Sequence, residues 1–133
     1  MKIVLDTNVL LVSISSKSKY HWIFQGLLNR HYDLCTTNEI LTEYEEIITL
    51  KYNAYVAEQT LKTLILLPNV RATSIYYRWN LIESDADDNK FADCAIASNV
   101  DYLVTQDKHF NVLKILDFPK VNVISIKEFR ELV

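Results

Sequence analysis

Short apolar runs alternate with amphipathic stretches along the chain, and their order predicts a layered fold. Lys2 to Leu5 is a mostly apolar run closed by an acid at Asp6, the pattern of a buried strand. Tyr20 to Leu28 sets Trp22, Ile23, Phe24, Leu27 and Leu28 at helical spacing, and Tyr32 to Thr36 is again strand-like. Thr36-x-x-Glu39 has the form of a capping box, in which a hydroxyl and a carboxylate satisfy each other's free backbone N–H groups. It predicts the start of a helix carrying Ile40, Leu41, Tyr44, Ile47 and Ile48 on one stripe. Tyr55 to Leu66 predicts a further helix ending before Pro68, and the β-branched and aromatic run Val70 to Tyr77 predicts a strand. The polar cluster Glu83 to Asp88 opens a helix that continues through Phe91, Ala92, Ala95 and Ile96. Its acids suit the positive end of the helix dipole. Asp101 to Thr105 reads as a strand, Phe110 to Leu116 as a short helix and Val121 to Ile124 as a final strand. Ser125-x-x-Glu128 forms a second capping box ahead of a C-terminal helix. Strands alternating with helices imply parallel β-α-β units, hence an α/β sandwich.

Composition narrows this picture. With 133 residues, at roughly 100–200 per domain, the chain is expected to form one domain over 1–133. Half of the residues are apolar and 23 % are charged, which excludes a disordered chain. A single Gly excludes a Gly-rich phosphate loop. No apolar run approaches the ~18–20 residues of a membrane helix. The acid at Asp6 also interrupts any secretory core of about 7–15 apolar residues. The expectation is a cytoplasmic protein without membrane contact. Cys35 and Cys94 lie far apart among apolar neighbours and read as reduced, buried thiols. The formal net charge of −3 argues against a surface that grips a phosphate backbone everywhere. It leaves nucleic acid open as a substrate, since acids can be gathered at a metal site.

The acids fall where sites form. In open parallel sheets ligands bind beyond the carboxyl ends of the strands. Asp6 directly follows the first strand, and Asp107 follows Tyr102-Leu103-Val104 after Thr105 and Gln106, so both reach one edge. At about 100° per residue Asp88 shares the azimuth of Phe91, Ala92 and Ala95. Its carboxylate therefore projects from the buried face at the start of its helix, which a right-handed crossover brings to the same edge. Glu43 and Glu45 lie at similar angles on either side of the apolar stripe of their helix, so geometry does not choose between them; Glu46 points outward. Carboxylates meeting in one cleft repel unless a divalent cation neutralises them. Oxygen donors without a thiolate or imidazole set favour Mg²⁺ or Mn²⁺, which lower the pKa of bound water and clamp phosphoryl oxygens. Taken singly, each acid has a plainer reading as a helix cap or turn residue.

These residues stand in an order that resembles a known family. Asp6-Thr7-Asn8-Val9, Glu43 within Ile40-Leu41-Thr42-Glu43-Tyr44, the run Asp85 to Ala95, and Asp101 to Phe110 with its Thr-x-Asp-x-x-Phe ending together resemble the PIN-domain ribonucleases. More narrowly they resemble the VapC-like branch, the toxins of toxin–antitoxin systems. The resemblance implies a three-layer α-β-α sandwich around a central parallel sheet. It implies a Mg²⁺- or Mn²⁺-dependent endoribonuclease acting on RNA, a cognate antitoxin protein as partner, and a homodimer. It selects Glu43 over Glu45 and assigns Asp6, Glu43, Asp88 and Asp107 as catalytic and metal-holding acids. Thr7, Asn8 and Thr105 suit a role in orienting those carboxylates, since metal ligands need supporting hydrogen bonds. Thr7 and Asn8 also fit as caps of a following helix. Asp93, about 130° from the middle of the buried face, is expected as a solvated or supporting acid. His109 reads as a surface histidine, with an RNA contact as the alternative. Tyr76-Tyr77-Arg78-Trp79 is a candidate for base stacking, against a strand end packed on the core or a dimer surface. Lys17-Ser18-Lys19 is a weak candidate for phosphate contact.

Three other functions fit parts of the pattern. A PIN nuclease of general RNA processing would need no antitoxin. An RNA- or protein-binding module without activity would not need four acids in order. A phosphatase using Asp6 as nucleophile is weakened because Asn8 stands where haloacid-dehalogenase-like enzymes usually carry a second Asp.

Overall fold

The computed structural model describes residues 1–133. Five strands form one all-parallel sheet: β1 (Lys2–Leu5), β2 (Asp33–Thr36), β3 (Val70–Ala72), β4 (Tyr102–Val104) and β5 (Val123–Ile124), in the order β3-β2-β1-β4-β5. Six α-helices connect and flank them: α1 (Thr7–Ser13), α2 (His21–Leu28), α3 (Asn38–Lys51), α4 (Ala54–Leu66), α5 (Asn89–Ala97) and α6 (Ile126–Leu132). Two 3-10 segments, Ala86–Asp88 and Lys108–Ile115, complete the chain. Ile3, Val4 and Leu5 of the central strand are all fully buried. Successive strand residues point to opposite faces, so helices cover the sheet on both sides, as a parallel sheet requires. The expected α/β sandwich is the observed one.

Register places the ends of β1 and β4 side by side, with Val4 opposite Leu103 and Leu5 opposite Val104. From β1 the chain moves outward through β2 and β3, then crosses back to β4 and β5 on the other side. The β1/β4 junction is therefore the point at which the strand order reverses, where a crevice opens above the carboxyl ends. The Tyr44 hydroxyl, buried under α3, donates 2.6 Å to the Leu5 carbonyl and ties that helix to the end of β1. Trp22, Tyr32 and Phe129 form an aromatic cluster that docks α6 near α2, with ring centroids 5.2–5.6 Å apart. Both cysteines are buried and unpaired; burial raises the Cys35 thiol pKa and pushes that of Cys94 to about 12. No helix is long and apolar enough to cross a membrane.

Several local expectations change. Helix α3 is capped by Thr37, whose hydroxyl accepts the Ile40 N–H at 3.2 Å; Thr36 is the last residue of β2, with its hydroxyl on the Arg71 carbonyl. The Thr36-x-x-Glu39 box therefore does not form, whereas the Ser125/Glu128 box does. The third strand stops at Ala72 instead of Tyr77. Its neighbour β2 ends at Thr36, whose carbonyl accepts a last bond from Thr73 N at 2.8 Å; further along, two N–H groups find side chains on α5 instead of a strand. Trp79 N donates 3.1 Å to Asp93 and Ile82 N donates 2.9 Å to Asn89. The aromatic run along this strap is solvent-facing: Tyr76 is 95 % exposed, Arg78 pairs with Glu39 at 2.6 Å, and Tyr77, Trp79 and Phe118 meet edge to face. Helix α1 had no counterpart among the predicted elements. Its two turns are too short to display a period, although Val9 and Leu10 are buried.

Candidate active site

Asp6 is the N-cap of α1, yet its carboxylate makes no capping hydrogen bond; Asp88 lies inside the helical run from Ala86 to Ala97, which Asp85 caps by accepting the Asp87 N–H at 3.1 Å. Asp6 and Asp88 are both turned into the crevice, 5 % and 9 % exposed. The plain reading of these two acids as caps therefore does not describe them. Asp107 does cap: its Oδ1 accepts the His109 N–H at 2.9 Å at the head of the second 3-10 segment. Asp6 feels the charges of Asp107 and Glu43, and Asp88 those of Asp85, Asp107 and Asp6. Four acids from four separate chain segments thus share one cleft at the β1/β4 switch point. Glu45, by contrast, stands exposed on α3.

Hydrogen bonds hold this arrangement from below. The Thr105 hydroxyl donates 2.8 Å to Asp6 Oδ2 and accepts the Asp107 N–H at 3.0 Å, so one buried side chain positions both acids. Thr7 donates to Glu43 Oε2, and Lys90 Nζ donates 2.6 Å to Glu43 Oε1. Asn8 is exposed and makes no side-chain hydrogen bond to any of the acids. Asp93 is buried but serves the strap, accepting the Trp79 N–H. Burial raises its pKa, with the Trp79 N–H and Arg78 opposing. His109 brings Nδ1 to 3.3 Å from both Asp88 Oδ2 and Asp107 Oδ1 and 3.8 Å from Asp85. Donor atoms of Asp85, Asp88 and His109 lie within 4.8 Å of one another.

The electrostatics are those of a site short of positive charge. Burial is the main cause that raises the Asp88 pKa to about 6, followed by Asp85 and Asp107, against the hydrogen bond from His109. Burial likewise raises Asp6, opposed by its bonds from Thr105 and the Thr7 N–H. Lys90 answers with an ammonium group, and it is taken up by Glu43. Hard oxygen donors with uncompensated charge fit a divalent cation such as Mg²⁺ or Mn²⁺.

A PIN-domain family model matches residues 2–109. The chain belongs to the PIN-domain family. Among solved structures, this PIN domain is similar to VapBC2 from Rickettsia felis, bound to a DNA fragment from their promoter. The TM-score is 0.65 at 19 % identity, over 94 % of this chain and 98 % of that one. VapC20 of Mycobacterium tuberculosis, a sarcin–ricin loop cleaving toxin, gives 0.63 at 13 % identity over 86 % and 97 %. FitAcB from Neisseria gonorrhoeae gives 0.60 at 18 % over 94 % and 98 %. At these identities the likeness is one of fold. No curated protein sequence matches the chain.

Asp6, Asp88, Asp107, Thr7 and Thr105, and Glu43 as the family resemblance implies, stand together in the structure, whereas Asn8 stays outside. Lys90 is the residue of this site that the motifs do not pick out, and His109, exposed as expected, also brings its ring to Asp88 and Asp107. Lys90 had a signal: a cation in the first turn of α5 opposes the helix dipole, so it needs an acidic partner elsewhere. Replacing Thr105 by Val keeps its shape but removes the donor to Asp6 and the acceptor for Asp107. Loss of such support typically costs 10–100-fold, and Thr105→Val is expected to lower RNA cleavage by about that factor without a change in far-ultraviolet circular dichroism.

Proposed function

We propose that this PIN-domain protein is a divalent-metal-dependent endoribonuclease and the toxin of a toxin–antitoxin pair. The observation that carries the reading is Asp6, a buried helix-cap acid that makes no capping bond and instead meets the charges of Asp107 and Glu43, with the buried Asp88 beside it. Asp6, Glu43, Asp88 and Asp107 would hold Mg²⁺ or Mn²⁺, which supplies a bound water of lowered pKa and neutralises phosphoryl oxygens. The chain's own groups prepare that chemistry. Thr105 fixes the Asp6 and Asp107 carboxylates, Thr7 and Lys90 fix Glu43, and His109 sits between Asp88 and Asp107. The acids are set before substrate arrives, so little reorganisation is left for the reaction itself. The toxin role is supported by the family order of the motifs and by VapC20, a cleaving toxin of the same fold.

Purified protein is expected to cleave single-stranded RNA with Mn²⁺ or Mg²⁺ and to stop with EDTA. Millimolar Mn²⁺ should also raise its melting temperature by mass action. A melting temperature unmoved by Mn²⁺, together with no metal-dependent cleavage, overturns the reading. For the toxin role, expression in a bacterial host is expected to arrest growth, and co-expression of the antitoxin encoded beside it to restore growth. We also infer a homodimer, supported by the exposed Leu50, Tyr55, Ile65 and Leu66 on α3 and α4. Light scattering at micromolar concentration should give twice the chain mass; the single-chain mass alone refutes it.

A further inference from the structure

The cations of this acidic chain are unevenly used. Lys62, Arg71, Arg78 and Lys90 are committed to ion pairs with carboxylates. Of the other ten, which form none, Lys19, Lys108, Lys114, Lys127 and Arg130 are exposed and border two adjoining surface depressions. The first, about 220 Å³, is lined by Thr105 and Asp107 of the candidate site and by Lys108, Lys114 and Ser125. The second, about 350 Å³, lies between Lys19 and Tyr20 on one side and Lys127 and Arg130 on the other. Gln106 lines both. Its Oε1 accepts the Ile126 N–H at 2.9 Å, which holds the divide between them in place. Aromatic faces back the cations: Arg130 lies 4.6 Å from the Trp22 ring and Lys19 Nζ 5.1 Å from that of Tyr20.

We propose that this surface, from Asp107 over Gln106 to Arg130, is the track along which the phosphate backbone of a single-stranded RNA enters the acidic cleft. The proposal rests on the endoribonuclease reading and adds to it where the substrate lies. Two physical arguments favour a polyanion here. Unpaired ammonium groups along a groove raise the local potential whatever the net charge, and they attract a phosphate chain at each residue. The groove also meets the candidate site at Asp107, so a strand held by Lys19 and Lys127 on one side of Gln106 and by Lys108 and Lys114 on the other is brought to that carboxylate. The only acids among its lining residues are Asp107 itself and Glu131 at the far end.

The test measures binding separately from cleavage. In an Asp88→Asn background, affinity for a fluorescent single-stranded oligoribonucleotide is followed by anisotropy as salt is varied. Each single-strand phosphate contact contributes about 0.7 to the slope of log affinity against log salt. Lys19→Ala with Lys127→Ala, and separately Lys108→Ala with Lys114→Ala, should each flatten that slope by about 1.4. Lys51→Ala with Lys62→Ala, on α3 and α4, should leave it unchanged. Equal slopes in all three double variants overturn the track. So does competition in which an acidic peptide displaces the RNA from native protein but not from the track variants, with the RNA slope unmoved. Flattened slopes in a protein whose native form cuts no RNA support the track and overturn the nuclease reading instead.

Discussion

Asp6→Asn, Asp88→Asn and Asp107→Asn are each expected to lower metal-dependent RNA cleavage by more than about 100-fold, beyond the loss typical of a merely supporting residue. The folded state should not suffer in the same way. Burial and neighbouring acids disfavour the ionised forms of Asp6 and Asp88, so a neutral side chain of the same shape removes repulsion. Their urea midpoints without metal are expected to equal or exceed that of the native protein. Activity and stability moving apart in this manner marks charges kept for chemistry; a residue serving only the fold would lose both together. Cleavage of a labelled RNA and equilibrium unfolding of the same preparations provide the two readouts. Full activity in any of the three variants removes that residue from the site. Glu43→Gln should fall with them, because Gln removes the charge opposite Lys90 and puts an NH2 group at one of the two oxygens that now accept from Lys90 and Thr7, while Glu45→Gln on the exposed side of α3 should retain native activity.

The second large effect concerns the packing that brings two of these acids together. Phe91 lies three residues after Asp88 and Phe110 three after Asp107, and the two rings meet edge to face with centroids 6.3 Å apart. Both are essentially buried. The contact joins the start of α5 to the segment after β4, so the same pair that fills the core also sets the separation of Asp88 from Asp107. Phe91→Ala deletes a buried ring and leaves a cavity, a change that costs about 3–5 kcal/mol. For a chain of this size that is a fall in melting temperature on the order of 10–20 °C. Phe91→Leu retains most of the apolar volume and should recover much of the stability. It should remain impaired in cleavage if ring packing sets the acids' spacing. Thermal unfolding together with cleavage at a temperature where the variant is fully folded separates the two effects.

The two Asp-x-x-Phe units show what can be read from a chain and what cannot. An acid at a strand end or helix start followed at one turn by a large apolar residue is a local pattern. It placed Asp88 on the buried side of its helix with Phe91, while Asp107 was placed by the strand that ends just before it. The apolar runs of β1, β2 and β4 were equally legible, because a fully buried strand must be apolar on both faces. So was the final helix, whose Ser125/Glu128 box depends on neighbours only three residues apart. The third strand was not: β-branched and aromatic residues from Val70 to Tyr77 favour extended backbone, but whether extended backbone pairs depends on a neighbour. That neighbour, β2, ends at Thr36. Nor could the chain choose between Glu43 and Glu45 by periodicity, since both flank the apolar stripe at equal angles. The packing of α3 on α1 and α5 decides it, by bringing Glu43 to Thr7 of the one and Lys90 of the other. The same holds for the paired role of Thr105 and for His109 between two aspartates. Local pattern records which side of an element must be buried; which partner waits on that side is set only when distant segments are folded against one another.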